Sequence, residues 1–295
     1  MIAPQNFHVN PDTVSTNAFQ NSTITHINSQ NIHSSARKEF DKFVEALIQH
    51  HVKVHVYEGI SSCNSPDRIF PNNWVSFHAH RNMMYPMQPI NRRTEKQQNI
   101  WDVIPKEYKN RELVDWSHHE LQGRFLEGTG SLVLDRKNRI ALAALSARTN
   151  ESLVREWCQF MNYQPIVFVA QLNETDIPVY HTNVVASITA KHLFIAIDCI
   201  TDESAKKQIR DYAEKFDKTL VKLSRQQTAE FAGNILEFQD SRNSSCIAIS
   251  TRALHSLTPT QVKILEAIGN VIPADLTCIE NYGGGSARCM IAELY

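Results

Sequence analysis

Glycine is scarce in this chain: nine in 295 residues. Few backbone positions are therefore free to take positive φ or to let another group come close. Cysteine is sparse and never paired as Cys-x-x-Cys; Cys63, Cys158, Cys199, Cys246, Cys278 and Cys289 are widely scattered. That is the usage of a reducing compartment, and a cytoplasmic location is expected. No apolar run approaches the ~18 residues of a membrane span. The start, MIAPQNFHVNPD, has neither the basic region nor the apolar core of a secretory signal. Neither charge dominates, with 30 basic and 31 acidic residues, so nothing points to nucleic acid or an anionic membrane as partner. Low-complexity segments and linkers are absent. Among the 13 histidines, His78-x-His80 and His118-His119 invite a metal reading. No cysteine or acidic ligand stands at metal-site spacing around them, so no metal is expected.

What is present is an ordinary soluble composition, 42% hydrophobic and 21% charged, in a chain long enough for one large domain or two small ones. A unit of strand, turn, strand, helix, strand recurs. It runs through Ser131–Asp135, Ile140–Ala144, a helix over Asn150–Asn162 and Pro165–Ala170. It returns at Val184–Thr189, His192–Ile197, Asp202–Phe216 and Thr219–Leu223. It returns again at Ile235–Phe238, Cys246–Ser250, helices across Thr251–Gly269, and Val271–Ala274. A degenerate earlier copy spans Trp74–Phe77, Asn82–Tyr85, a helix near Arg93–Tyr108 and Leu113–Trp116. An amphipathic helix Ala36–His50 and a strand Val52–Tyr57 begin one further unit, which needs both chain ends to complete it. Starts at 131, 184 and 235 give a regular period, the mark of an array. The expected architecture is α/β, with five units in one closed ring over residues 1–295. Closure would protect the edge strands. An open α/β sheet is the alternative, disfavoured by the repeated hairpins. The polar stretch Asn10–Ser35 reads either as a surface loop over a site or as a mobile arm.

Three of the nine glycines stand together in Gly283-Gly284-Gly285-Ser286-Ala287-Arg288-Cys289. The run reads as a loop presenting a thiol on a short end strand, Met290 to Ala292. A flexible turn before a buried structural cysteine is the plainer reading. Three other stretches stand at unit junctions: Pro66 to Trp74, Leu126-Glu127-Gly128-Thr129-Gly130, and Val179-Tyr180-His181-Thr182-Asn183-Val184. In a ring, junctions converge on the axis. A thiol, a histidine and carboxylates would meet there, as nucleophile, general acid and base, and orienting or gripping groups.

The order Asp-x-x-Phe, Glu-Gly, His-x-Asn, glycine-rich-Cys-Met resembles the amidinotransferase and deiminase (pentein) superfamily over essentially the whole chain. The branch of citrulline-utilisation hydrolases is the nearest likeness, through PDRIFPNNW, YHTNV and Phe231-Ala232-Gly233-Asn234. The resemblance implies a pentein propeller of five ββαβ units and a cofactor-free hydrolase of C–N bonds in small ureido or guanidino amino acids. It implies Cys289 as nucleophile, His181 as acid and base, and Glu127 holding substrate nitrogens or aligning His181. Asp67 would bind substrate, and Gly284 would let the loop pass close to it. Asn73 and Asn183 would line the pocket. Arg288 is a further candidate for binding, although on a strand its side chain would alternate away from Cys289. Guanidine-hydrolysing members place carboxylates where Asn73, Gly130 and Asn183 stand here. A pocket so depleted of acid suits a neutral ureido group such as that of citrulline. An amidinotransferase, an arginine-type deiminase and a non-catalytic binding module are the alternatives. A homo-oligomer stays open.

Overall fold

Four three-stranded sheets recur along the chain, each with one antiparallel and one parallel pairing. The computed structural model describes residues 1–17, 19–20, 29–59, 63, 65–97, 99–172 and 178–295. The first sheet holds β1 (Val75–Phe77), β2 (Arg81–Met84) and β3 (Glu112–Asp115). The second holds β4 (Val133–Asp135), β5 (Ile140–Ala144) and β6 (Gln164–Phe168). The third holds β7 (Ala186–Ile188), β8 (His192–Ile195) and β9 (Thr219–Lys222), and the fourth β10 (Leu236–Gln239), β11 (Ser245–Ser250) and β12 (Asn270–Ala274). In each, the first two strands form an antiparallel pair and the third returns parallel to the second.

The middle strand of a unit is the most apolar because both its faces are covered. All five residues of β5 are buried, as are five of the six in β11. Each return to the parallel strand needs a crossover, and three of the four use the expected helices. Helix Glu151–Met161 starts on Asn150, whose side chain accepts from the Leu153 amide, and ends on Asn162 in the left-handed region. Asp202 caps helix Glu203–Lys215, and Thr258 and Gln261 form a capping box on helix Pro259–Ile268. The first crossover departs from expectation. In place of a helix near Arg93–Tyr108 stand 3-10 turns at Asn91–Gln97 and Ile100–Asp102 and a short helix Lys106–Lys109. Pro105 interrupts any longer helix, and the buried Arg92–Glu95 ion pair (2.8 Å) fixes the first turn instead.

The fifth unit is reduced. Helix Ser29–Gln49 buries Ile32, Ala36, Phe40, Phe43 and Leu47, spaced three and four apart along one face. The following extended segment meets the N-terminal residues: Ile2 and Tyr57 form a parallel bridge, and the Ala3 amide donates to the Tyr57 carbonyl at 2.9 Å. The expected end strand Met290 to Ala292 does not form. Ala287–Met290 is a 3-10 turn, and the residues after it have no regular structure. Among the described residues no helix is long and apolar enough to cross a membrane.

Short helical turns precede β1, β4 and β7, and with the turn at Cys289 they pack against one another: Pro71–Asn73, Gly128–Ser131, Thr182–Val185 and Ala287–Met290. Two contacts show how closely. A Cβ at Gly128 would lie 2.3 Å from the Asn72 carbonyl oxygen, and one at Gly233 would lie 2.2 Å from that of Val184. Glycine is what lets consecutive turns touch.

Candidate active site

Those turns deliver the site. Cys289, His181 and Asp67 line one small pocket with Asn73, Gly284, Phe70, Arg92, Arg148, Tyr180 and Asn17. The pocket encloses about 10 Å³, room for roughly one water. Glu127, wholly buried, stands behind His181: its Oε2 lies 2.8 Å from His181 Nε2, and its Oε1 accepts from the Gln88 amide at 3.0 Å.

The electrostatics fix the protonation states of this pair. Burial alone would raise the Glu127 carboxyl, but the Arg148 charge at 3.7 Å and the His181 bond outweigh it and hold it down to about 2. Burial likewise lowers His181 to about 4, against the pull of Glu127. Near neutral pH the pair is a carboxylate and a neutral imidazole. Nε2–H must then donate to Glu127, which leaves the Nδ1 lone pair free to take a proton. That nitrogen lies against Gly130, where a Cβ would stand 2.8 Å from it and 2.6 Å from Asn73 Nδ2. Gly130, which the sequence offers as a lost acid, is a position with no room for a side chain.

Asp67 is buried, which pushes its carboxyl up; Arg92 at 3.9 Å and the Asn10 amide at 2.7 Å oppose that. Its Oδ1 has no partner. Asn73 is engaged at both ends, accepting from Arg92 Nη1 at 2.8 Å and donating to Asn72 Oδ1 at 3.0 Å. Asn183 points its Nδ2 at Cys289 Sγ, 3.4 Å away. Gly284 ends helix Thr277–Gly283 at φ +63°, where a side chain would be strained and would collide with Asn17. Its carbonyl accepts from the Tyr180 hydroxyl and from Asn17 Nδ2.

Arg288 does not join the pocket. Adjacent residues of a 3-10 turn point about 120° apart, and its guanidinium turns away to the Ile291 carbonyl (3.0 Å) and Glu293 (3.2 Å). There it lines a second cavity of about 940 Å³ with Asn183, Thr129, Lys218 and Tyr295. His78 is buried between Ser76 and Arg136, and burial lowers it to about 3. Among the described residues no group of three or more histidines, cysteines or acids is placed to hold a metal.

Several functional side chains lie outside the sequence expectations. Arg92 and Arg148 put two buried guanidinium groups at the pocket wall. Nothing in their local sequence marks them. Asn234 donates to Cys289 Sγ at 3.2 Å; it stands two residues before its unit's first strand, as Asn73 does, and that offset was a usable signal. The described part of the polar N-terminal stretch lies over the site. Asn10 bonds Asp67, Thr16 bonds Arg148, Asn17 bonds the Gly283 and Gly284 carbonyls, and Gln20 bonds that of Tyr282. Residues 18 and 21–28 of that stretch lie outside the described residues.

Comparison with known proteins places this architecture. The sequence matches the family N,N dimethylarginine dimethylhydrolase, eukaryotic, over residues 3–295. Among curated proteins, none matches it. Its fold is similar to that of the N-terminal domain of ArgZ, an arginine dihydrolase from Cyanobacteria, solved bound to substrate. The TM-score is 0.74 at 15% identity, covering 98% of this chain and 95% of that one. Against a longer ArgZ chain, solved without ligand, the TM-score is 0.75 at 16% identity, but this chain spans only 40% of it. A dimethylarginine dimethylaminohydrolase, solved as an adduct with S-methyl-L-thiocitrulline, aligns at TM-score 0.61 and 15% identity over 98% of this chain and 96% of that one. The pentein fold follows from these likenesses. The match over nearly every residue settles the kinship: the chain belongs to the N,N-dimethylarginine dimethylhydrolase family.

Proposed function

We propose that this chain hydrolyses the guanidino group of an arginine-like amino acid through a covalent adduct on Cys289, and that it also accepts the ureido group so formed. One observation carries the reading: a buried thiol shares a small pocket with a histidine whose tautomer a buried carboxylate fixes. Unpaired polar atoms around it supply substrate partners. Asp67 Oδ1 and Asn183 Oδ1 are free acceptors, and Arg148 Nε is a free donor. Arg148 suits the substrate carboxylate, and Asp67 its amine or guanidinium.

The steps balance as follows. Cys289 sulfur attacks the guanidino carbon, and the thiol proton passes to His181 Nδ1. The imidazolium returns that proton to the departing nitrogen, and ammonia leaves a thiouronium adduct. Water, deprotonated by the same nitrogen, attacks that carbon; the C–S bond breaks, the departing sulfur takes the proton back from His181, and the ureido product is released. A second cycle on the ureido carbon expels another ammonia and gives a carbamate, which decarboxylates to the amine. The amide of Asn183 beside sulfur suits a neutral ureido group as readily as a guanidinium, since it carries donor and acceptor. Two of the structures named above are of one arginine dihydrolase, ArgZ, which favours the double cleavage. The pocket is too small for an amino acid as it stands, so the segment bearing Asn17 must withdraw to admit one.

The test is to supply arginine, citrulline and N,N-dimethylarginine separately and to follow ammonia, dimethylamine and ornithine. Double hydrolysis yields two ammonia per ornithine from arginine. Accumulation of citrulline with no ornithine restricts the chain to the first cleavage. Release of dimethylamine alone would assign it the family's namesake substrate, and no product from any of the three would remove the reading.

A further inference from the structure

We propose that Asn234, with Asn183, forms a cradle of uncharged amides that aims the Cys289 sulfur and stabilises the thiolate formed as its proton passes to His181. The inference rests on the reading of Cys289 as nucleophile. Both side-chain amides donate to Sγ, at 3.2 Å from Asn234 and 3.4 Å from Asn183. All three residues are buried, so water does not compete for these bonds.

The orientation of Asn234 is not arbitrary. Its Oδ1 accepts from the Arg288 backbone amide at 3.0 Å, and its Nδ2 donates to the Asn183 carbonyl at 2.9 Å. A flipped amide would oppose donor to donor and acceptor to acceptor, so the network locks an N–H toward sulfur. Asn183 has no such lock, because its Oδ1 is unpaired. Its amide can rotate to accept from a thiol or donate to a thiolate. Asn234 is therefore the fixed member, and it ties the junction turn before β7 to the turn that carries Cys289.

The absence of charge is the point. Cysteine nucleophiles are commonly activated by an adjacent cation. A cation at Sγ would repel a guanidinium arriving at the same atom. Amide donors stabilise the thiolate without that repulsion. Arg288, the nearest basic residue in sequence, turns its guanidinium to Glu293, and the two groups bonded to sulfur are both uncharged amides.

The test titrates the Cys289 thiolate by its ultraviolet absorbance, as the difference from Cys289→Ser in each background. Substitution Asn234→Asp keeps the shape and an acceptor for the Arg288 amide, but it removes the donor and faces sulfur with an acid. The midpoint should rise by about one to two pH units, the scale of one lost hydrogen bond to a charged group. Asn234→Ser, which keeps a shorter donor, should move it less. Thermal melting of the same proteins separates a packing effect, which lowers the melting temperature and leaves the midpoint alone. An unchanged midpoint in both variants overturns the proposal. The titration needs no substrate. A shifted midpoint in a protein that cleaves none of the three amino acids above would uphold the cradle and remove the substrate reading.

Discussion

Gly130→Ala adds one methyl group where the structure has no space for it. The new Cβ would stand 2.8 Å from His181 Cε1 and Nδ1, and 2.6 Å from Asn73 Nδ2. Relaxed contacts lie near about 3.5 Å, so His181 or the turn must shift by roughly 0.7 Å and Asn73 by roughly 0.9 Å. Asn73 is held by Arg92 and Asn72, and His181 by Glu127. The imidazole is the freer of the two, because only one of its nitrogens is bonded. A reacting group displaced by about 1 Å loses on the order of 10²-fold in rate. The expected result is a fall in kcat of about 30- to 100-fold, with stability reduced by about 1–3 kcal/mol from overpacking. Steady-state kinetics with ammonia detection, beside thermal melting, measures both. A folded variant whose kcat stays within about threefold of the parent would show that Nδ1 does not face the reacting atoms.

Other outcomes follow from the same geometry. His181 must be neutral to accept a proton and titrates at about 4, so the acid limb of the rate profile should lie well below that of a free imidazole. Glu127→Gln removes the charge that favours the imidazolium, so it should lower kcat and move that limb to still lower pH; movement upward would refute the assignment. Burial of neutral His181 destabilises the fold in acid: between pH 6.5 and about 4 the unfolded chain binds the extra proton. Glu127 acts likewise between 4.5 and about 2, so stability should rise with pH across both windows, at up to about 1.4 kcal/mol per unit for each group. Denaturant titrations from pH 3 to 7 should show that slope weakened in Glu127→Gln. Arg148→Lys should raise KM for an amino-acid substrate by about 10-fold or more while changing kcat less. Asn73→Asp, which on sequence grounds should favour guanidino substrates, would place its charge against Arg92 Nη1 and leave the preference nearly unchanged.

The repeat and the four junction motifs were legible because each rests on local pattern. Strand apolarity, helix caps and the glycine run are all written in neighbouring residues. Arg92 and Arg148 were not, because the contacts that bring them to the pocket are remote: Arg148 meets Thr16 and Glu127, and Arg92, beside its local pair with Glu95, meets Asn73 and Asp67. The apolar residues Met290 to Ala292 read as a strand, but the described structure offers them no partner strand, and the turn at Cys289 prevails. Gly130 misled for a related reason. A missing acid and a missing Cβ look the same in one sequence; only the position of His181 tells them apart.

Every catalytic candidate comes from a different junction, and the bonds among them span long stretches of chain. Asn183 and Asn234 reach Cys289 across 106 and 55 residues, and Asn17 reaches the Gly284 carbonyl across 267. No fragment shorter than nearly the whole chain holds a working set. Such distant contacts also make folding slow, since chain closure precedes the contacts that reward it. Turnover is then a sensor of completed assembly: on refolding, secondary structure should return first, and activity last, with the docking of the two ends.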